Sequence, residues 1–565
     1  MWNVLVFDSN GLLKDSRIYS PPNPTWAGVD WAGEIGALAV NDHWNTAIYN
    51  YTPEYAPTIP TIPEPTGDVS GLSTNQVNPN ASDEYLGFTW DSNLESAINN
   101  AAYRVVFFHT GMSTSGLFAT GVTVGGTAGT PRWFVYFDKN DKSSVQDIKP
   151  WNQSSGNRAR VKRMTQIGAD YIYFVGLYYG SDGFGRQNNS DHITYYRCFA
   201  DNFTLPCCGP ATARSDYLTV YQCVGDTSLS SGGTPYDDVA FVQATVSSDY
   251  VHIISCEAKD LSGDCIGGDN GATLTGWIVE DNDYYRTLFS DGAGNESGAD
   301  GNYCRGEGFV DFKYVGSSTS SPKMLIQGNR VWKMRKTDQV LHNGAGTGAP
   351  VALSTTTQAK WKMDVRYNVF DDSTSQGITF IDSAHLGGGY HSIVGNIISN
   401  VRLSDVIWPS TDYTECYMNT IVDCYGADSV FNFARSTTPA TVLSFDGMGN
   451  CLVDTLDANN FESEAQLDSN SYFQYAAFIG TGETYEKGST GTNYTNSNRS
   501  SMNFGDFRYY RKKLTGPEIG TISGIVPTSA TPSAFLTGAP GTGDATPIGS
   551  RSGRGVDDTV VSTWP

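Results

Sequence analysis

Residues 325–331 read LIQGNRV. The same phrase, an Asn between aliphatic runs, returns as DVRYNVF at 364–370, IVGNIIS at 393–399, YMNTIV at 417–422 and GMGNCLV at 447–453. The asparagines are Asn329, Asn368, Asn396, Asn419 and Asn450, separated by 39, 28, 23 and 31 residues. A recurring motif at irregular spacing fits a solenoid whose coils share a core and differ in loop length. Asn tolerates the left-handed backbone region better than most residues other than Gly, so it is expected to turn the chain between two strands. Stacked in successive coils, its amides can hydrogen-bond to one another along the stack.

Outward from these motifs the chain is a series of short apolar runs separated by Gly, Asn, Asp and Ser. Strands are expected near 171–175, 193–196, 218–221, 251–254, 277–279, 324–326 and 365–367. Ahead of them, Asp91 or Ser92 can cap a short helix whose Leu94, Ala97, Ile98 and Ala101 form one apolar face. The run YRVVFF at 103–108 then reads as a buried strand. A helix leading into the first strand would close the end of a solenoid, which otherwise exposes core and open edges. The expected architecture is all-β, a right-handed parallel β-helix over residues 86–480.

The flanks differ. Residues 1–85 begin with a strand-like run at 4–7 and end in a segment carrying Pro53, Pro57, Pro60, Pro63 and Pro65. Such proline density favours an extended, semi-rigid connector, so this part is read as a small N-terminal attachment module plus linker. Residues 481–565 keep a strand-like run at 504–510, then become rich in Thr, Ser, Pro and Gly. They are read as an extended C-terminal arm, either a flexible tail or one that orders against a neighbouring subunit.

Composition narrows the function classes. Charged residues are only 17% of the chain, and 61 glycines suit frequent turns better than long amphipathic helices. A formal net charge of −23 repels phosphate backbones, which argues against nucleic acid as a partner. No apolar run approaches the ~20 residues a membrane span needs. The start, MWNVLVFD, has neither the basic region nor the apolar core of a secretory signal. Ten cysteines show no CxxC pairing and are expected to be reduced and buried in a strand-rich core, with a disulfide in an extracellular particle as the alternative. The histidines are scattered without HExxH or HxH spacing, and no nucleotide-binding glycine loop is present.

Three acidic groups carry candidate chemistry. Asp260, Asp264 and Asp269 lie in a Gly-rich stretch and can either converge on a hard cation such as calcium or serve as ordinary turns. Glu280, Asp281 and Asp283 follow a strand. Paired carboxylates there would suit glycoside hydrolysis, with Asp281 and Asp283 sharing a face if the strand continues that far. Glu307, Asp311 and Lys313 accompany the run FVDFKY, where Asp311 and Lys313 share a face by period two. Arg330 and Lys333 could join them in a groove, and Arg305 is a local cation that could lower the Lys313 pKa.

Residues 91–110, 256–283 and 303–337 resemble the entry segment and coils of pectate-lyase-like β-helix proteins. The resemblance covers about two-thirds of the chain, and such coils occur in lyases, hydrolases, epimerases and phage tailspikes. It implies polysaccharide as the substrate class. It also implies Asp264 and Asp269 as calcium ligands and Lys313 as the base that removes a sugar proton. Cys265 departs from the pattern, standing where lyases often carry a second Asp or a Gly. The order of parts matches a phage tail spike or fibre, made in the host cytoplasm and released by lysis. Such a protein would attach to other virion proteins through its N-terminal region and, by analogy with tailspikes, form a homotrimer. The expected partner is a host cell-surface glycan, bound and either cleaved or simply held. A bacterial surface polysaccharide lyase is the remaining alternative.

Overall fold

The structure is a computed structural model that describes residues 2–7, 13–19, 53–112, 120–141 and 159–285 with breaks at 181–182, 229–238 and 262. It also describes 308–315, 324–332, 351–355, 509–513 and, between 363 and 480, the strands and the corners joining them. The chain divides into two compact units. One is Pro53–Gly316 with Lys336–Gly346; the other is Met1–Thr52, Ser317–Arg335 and Thr347–Pro565. Trp2–Phe7 pairs with Leu13–Tyr19 as an antiparallel hairpin.

The Pro53–Gly316 unit is all-β apart from one short helix among its described residues, and its strands fall into three sheets. The first contains Glu84–Gly87, Val105–His109, Arg132–Phe137, Ile172–Val175, Ile193–Tyr196, Thr219–Tyr221, His252–Ile254 and Ile278–Glu280, neighbours in that order. The second runs Thr120–Val122, Met164–Ile167, Gly185–Asn188, Cys208–Pro210, Val242–Ala244, Ile266–Thr275, Val310–Val315. The third holds Phe199–Phe203, Val224–Ser228, Glu257–Lys259 and Asp283–Tyr285. From Gly185 onward the chain visits second, first and third sheets in a fixed cycle, and each strand pairs in parallel with its counterpart in the next round.

The second unit repeats the cycle. Val351–Thr355, Ile378–Asp382 and Ile407–Ser410 are neighbours in one sheet, and Met363–Arg366, Tyr390–Val394 and Tyr413–Tyr417 in another. Val369–Asp371, Ile397–Ser399 and Thr420–Val422 are neighbours in a third. Strand Tyr509–Lys513 pairs with Ala476–Gly480 and so adds to this unit. It overlaps the end of the strand-like run expected at 504–510, starting five residues later than that run does.

Parallel pairing puts like residues above one another, which builds the core. Phe134, Phe174 and Tyr195 stack with ring centroids 5.1 and 4.9 Å apart, all fully buried. Each such side chain contributes about 1.5–3 kcal/mol by leaving water. Tyr195 satisfies its hydroxyl on the buried Gln166, 3.1 Å away, and Gln187 donates to Gln166 at 2.9 Å. The helix is Ser92–Ile98, capped by Asp91 with Leu94, Ala97 and Ile98 buried, as expected; Ala101 lies outside it and is exposed. The Arg132 guanidinium receives the helix end by donating to Ala97 O and Asn100 O, both at 3.0 Å. Burial pushes its pKa down to about 10.

The asparagine motif forms the amide ladder the sequence implies. Asn329, Asn368, Asn396 and Asn419 each donate a side-chain N–H to the side-chain oxygen of the next, ending at Asn450, over 2.9–3.0 Å. The turning residue, however, is the one before the asparagine. Gly328, Tyr367 and Gly395 have φ of 64°, 60° and 63°. The asparagine fastens the corner that its predecessor bends.

The same corner recurs earlier with a different residue. Arg197, Gln222, Ser255 and Asp281 are left-handed, and Cys198, Cys223, Cys256 and Asn282 follow them. The Cys198 N–H meets Cys223 Sγ at 3.3 Å, Cys223 N–H meets Cys256 Sγ at 3.5 Å, and Cys256 N–H meets Asn282 Oδ1 at 2.9 Å. Cys198, Cys207, Cys208, Cys223, Cys256, Cys265, Cys416 and Cys424 are buried free thiols, in accord with the expectation of reduced core cysteines.

The Pro-rich segment is held against the first sheet. The Glu54 and Tyr55 N–H groups donate to the Glu280 carboxylate at 2.7 and 2.8 Å. Thr66 donates its N–H and hydroxyl to Glu84, at 3.0 and 2.6 Å. From Ile278–Glu280 to Glu84–Gly87 is seven strand steps, roughly 34 Å at about 4.8 Å per step. Twelve residues in polyproline geometry cover about 37 Å. The segment is therefore long enough, when fully extended, to span the sheet as a strap.

Candidate functional site

Gly267 is the reference point for the candidate site. Parallel pairing sets it between Gln243 on Val242–Ala244 and Asp311 on Val310–Val315. A methyl group at Gly267 would meet only Asp264 Cβ and Gln243 Cγ, each at 3.9 Å, so the glycine forms a shallow floor bordered by those side chains. Gln243 donates to Asp269 Oδ1 at 2.8 Å. Phe312 and Val310 are fully buried, so the period-two alternation turns Asp311 and Lys313 to the opposite face, as the sequence implies. Lys313 Nζ is ion-paired and hydrogen-bonded to Asp311 Oδ2.

Asp311 is 7% exposed and its Oδ1 is buried without a hydrogen-bond partner. Burial raises the Asp311 pKa, against the opposing pull of Lys313. A carboxyl group in that state has one oxygen committed to a cation and one unspent. Asp264, Asp269, Asp311 and Lys313 thus gather around one glycine, from strands more than forty residues apart in part.

The register also brings in residues that the sequence did not flag. Arg186 pairs with Gly209, itself one strand from Gln243, and donates to Gly209 O and Pro210 O, each at 2.9 Å. Burial, with the neighbouring Arg163, pushes its pKa down to about 10. Gln243 and Arg186 sit in unremarked runs (FVQAT and FGRQN), and only the pairing register reveals them.

The other candidates go elsewhere. Glu280 is fully buried and spent on the strap. The strand ends at Glu280: Asp281 takes the left-handed corner and receives the Ser255 hydroxyl at 2.7 Å, and Asp283 begins a strand of the third sheet. The condition for Asp281 and Asp283 to share one strand face is therefore not met. Asp260 is buried at another corner with φ 51°. Arg330 belongs to the other compact unit, where it pairs with Val369 and is 5% exposed. Arg305, Glu307 and Lys333 lie outside the described residues. Among the described residues no group of three or more His, Cys, Asp or Glu is arranged to hold a metal ion. No described helix is long and apolar enough to cross a membrane.

A separate open cleft of about 580 Å³ lies between strap residues 60–64 and Arg104, Pro131 and Trp133, on the first sheet. Compared with known proteins, the chain matches no family model, no curated protein and no solved structure.

Proposed function

We propose that this chain is a right-handed parallel β-helix of the pectate-lyase-like type, belonging to a phage tail spike or fibre, that binds a host surface polysaccharide. The observation that carries the reading is the Lys313–Asp311 pair beside the glycine floor at Gly267, with Gln243, Asp264 and Asp269 at its rim. A flat parallel sheet face with acid, amide and ammonium groups at strand spacing offers donors and acceptors to successive sugar hydroxyls. The fixed three-sheet cycle supports the β-helix, and homotrimer assembly and attachment through the N-terminal residues follow by analogy with tailspikes.

A second reading adds cleavage, and it is favoured by the unspent Asp311 oxygen. Lys313 would take a sugar proton, and Asp264 and Asp269 would supply oxygen ligands should calcium take part. Purified protein is incubated with host polysaccharides, with and without a calcium chelator, following ultraviolet absorbance of unsaturated sugar and the release of reducing ends. Calcium-dependent absorbance that disappears in Lys313→Ala supports elimination. Reducing ends without absorbance support hydrolysis. Binding without either leaves an adhesin, and absence of binding rejects the proposal.

A further inference from the structure

A second repeat runs along the corner that opens four successive strands of the first sheet, from Ile172–Val175 to His252–Ile254. It reads Ala169-Asp170-Tyr171, Ser190-Asp191-His192, Ser215-Asp216-Tyr217 and Ser248-Asp249-Tyr250. The Asp of each rung accepts the N–H of the Asp in the next: Asp191 to Asp170 at 2.8 Å, Asp216 to Asp191 at 2.7 Å, and Asp249 to Asp216 at 2.8 Å. That ladder fixes the following residue in the left-handed region, with φ of 53°, 57°, 58° and 57°. Their rings therefore stack face to face, with centroids 4.3, 4.5 and 5.0 Å apart and planes within 10°.

The next rung keeps the backbone and drops the ring. Tyr250 donates its N–H to Thr275 O at 2.9 Å, and Gly276 takes φ 65°. A ring is compatible with this corner conformation, since three tyrosines and a histidine adopt it in the rungs before. Among the described residues the stack thus ends at Tyr250, and Gly276 brings no ring to the next rung. Tyr217 and Tyr250 are 44% and 37% exposed, and Arg214 bridges the Asp216 and Asp249 carboxylates beside them.

We propose that the Tyr250 end of this stack is a carbohydrate subsite in which a neutral pyranose occupies the place of the missing fifth ring. The C–H face of the sugar lies on the tyrosine, and its hydroxyls reach the Arg214–Asp249 pair. An aromatic face with polar groups at its edge matches a molecule that is apolar on one side and hydroxylated round its rim. The Arg–Asp pair favours hydroxyls, which both donate and accept. An anion would meet two carboxylates and a cation would meet the guanidinium. The inference rests on the polysaccharide reading, but its residues lie at the corner of the first sheet, whereas Lys313 is on the second. The subsite holds a polymer without acting on it.

The test uses fluorescently tagged neutral hexasaccharides of glucose, galactose and N-acetylglucosamine, with binding read by anisotropy on the full chain. Wild type is expected to bind at least one of them. Tyr250→Ala should weaken that binding about tenfold, the loss of one stacked face. Gly276→Tyr should weaken it as much while leaving the melting temperature unchanged or higher, because the added ring completes the stack; a purely structural aromatic ladder would gain stability and lose no binding. Asn93→Ala, on the exposed side of the helix and in neither site, should leave hexasaccharide binding intact. Failure to bind any hexasaccharide overturns the subsite, as does binding that both corner variants retain. If only Lys313→Ala abolishes binding, the corner subsite falls while the polysaccharide reading stands.

Discussion

Replacing Asn396 by Ala removes one rung from the middle of the amide ladder. Asn396 Nδ2 donates to Val365 O at 2.9 Å and to Asn419 Oδ1 at 3.0 Å, and its Oδ1 accepts the Asn368 N–H and Nδ2–H, both at 3.0 Å. All four bonds are buried, and Asn396 has no exposed surface. At about 1 kcal/mol net per bond, with about 1 kcal/mol more for the Asn368 backbone N–H left dry, the loss is about 5 kcal/mol. Contacts in stacked repeats are between nearest neighbours, so the damage is concentrated in the adjoining rounds. Urea denaturation measures the total, and hydrogen exchange at the Asn368 amide locates it. Asn93→Ala, on the exposed side of the helix, is the control and should change stability by less than about 0.5 kcal/mol. An Asn396→Ala loss below about 1 kcal/mol, with Asn368 still protected, would refute the ladder as a source of stability.

Cys256 Sγ contacts Val220 O at 3.3 Å, the place that the Asn282 amide takes on Ile253 O at 2.9 Å one round later. Cys256→Asn should therefore cost less than about 1 kcal/mol, while Cys256→Leu costs about 1–3 kcal/mol from overpacking, both read from urea midpoints. Burial raises the Cys223 and Cys208 pKa values, so folded protein should react with thiol reagents far more slowly than protein in denaturant. Glu280→Ala removes the acceptor for two strap N–H groups and should speed limited proteolysis within residues 53–66 several-fold, with about 2–3 kcal/mol lost. The Asp311 pKa is raised above its ordinary 3.8, so the folded chain binds a proton more readily there than the unfolded chain does. Stability contributed by that proton is present below pH 3.8 and falls as pH rises through the folded-state value. Asp311→Asn should flatten that limb of the stability–pH curve; an unchanged slope would contradict the burial effect.

The five asparagine motifs made the parallel stacking legible because residue type and position recur together. The earlier rounds were harder to see, since the same corner position is filled by Cys198, Cys223 and Cys256, whose thiols replace the amide while the preceding residue does the turning. The aromatic corner escaped notice for a related reason: its motif is three residues long and recurs at intervals of 21, 25 and 33, set by loops of unequal length. At the candidate site, Asp311 and Lys313 could be read from local alternation. Gln243 and Arg186 could not, because their neighbours are fixed by inter-strand register. Glu280 looked like a site residue because sequence shows a carboxylate but not the distant strap N–H groups that consume it.

The most direct measurement is an experimental structure of the protein with a polysaccharide fragment that it retains in the incubation assay. The account predicts a right-handed three-sheet coil with sugar density crossing Gln243, Gly267 and Asp311, within reach of Lys313. Strands that do not close into such a coil, or a fragment bound without contact to that face, would contradict it.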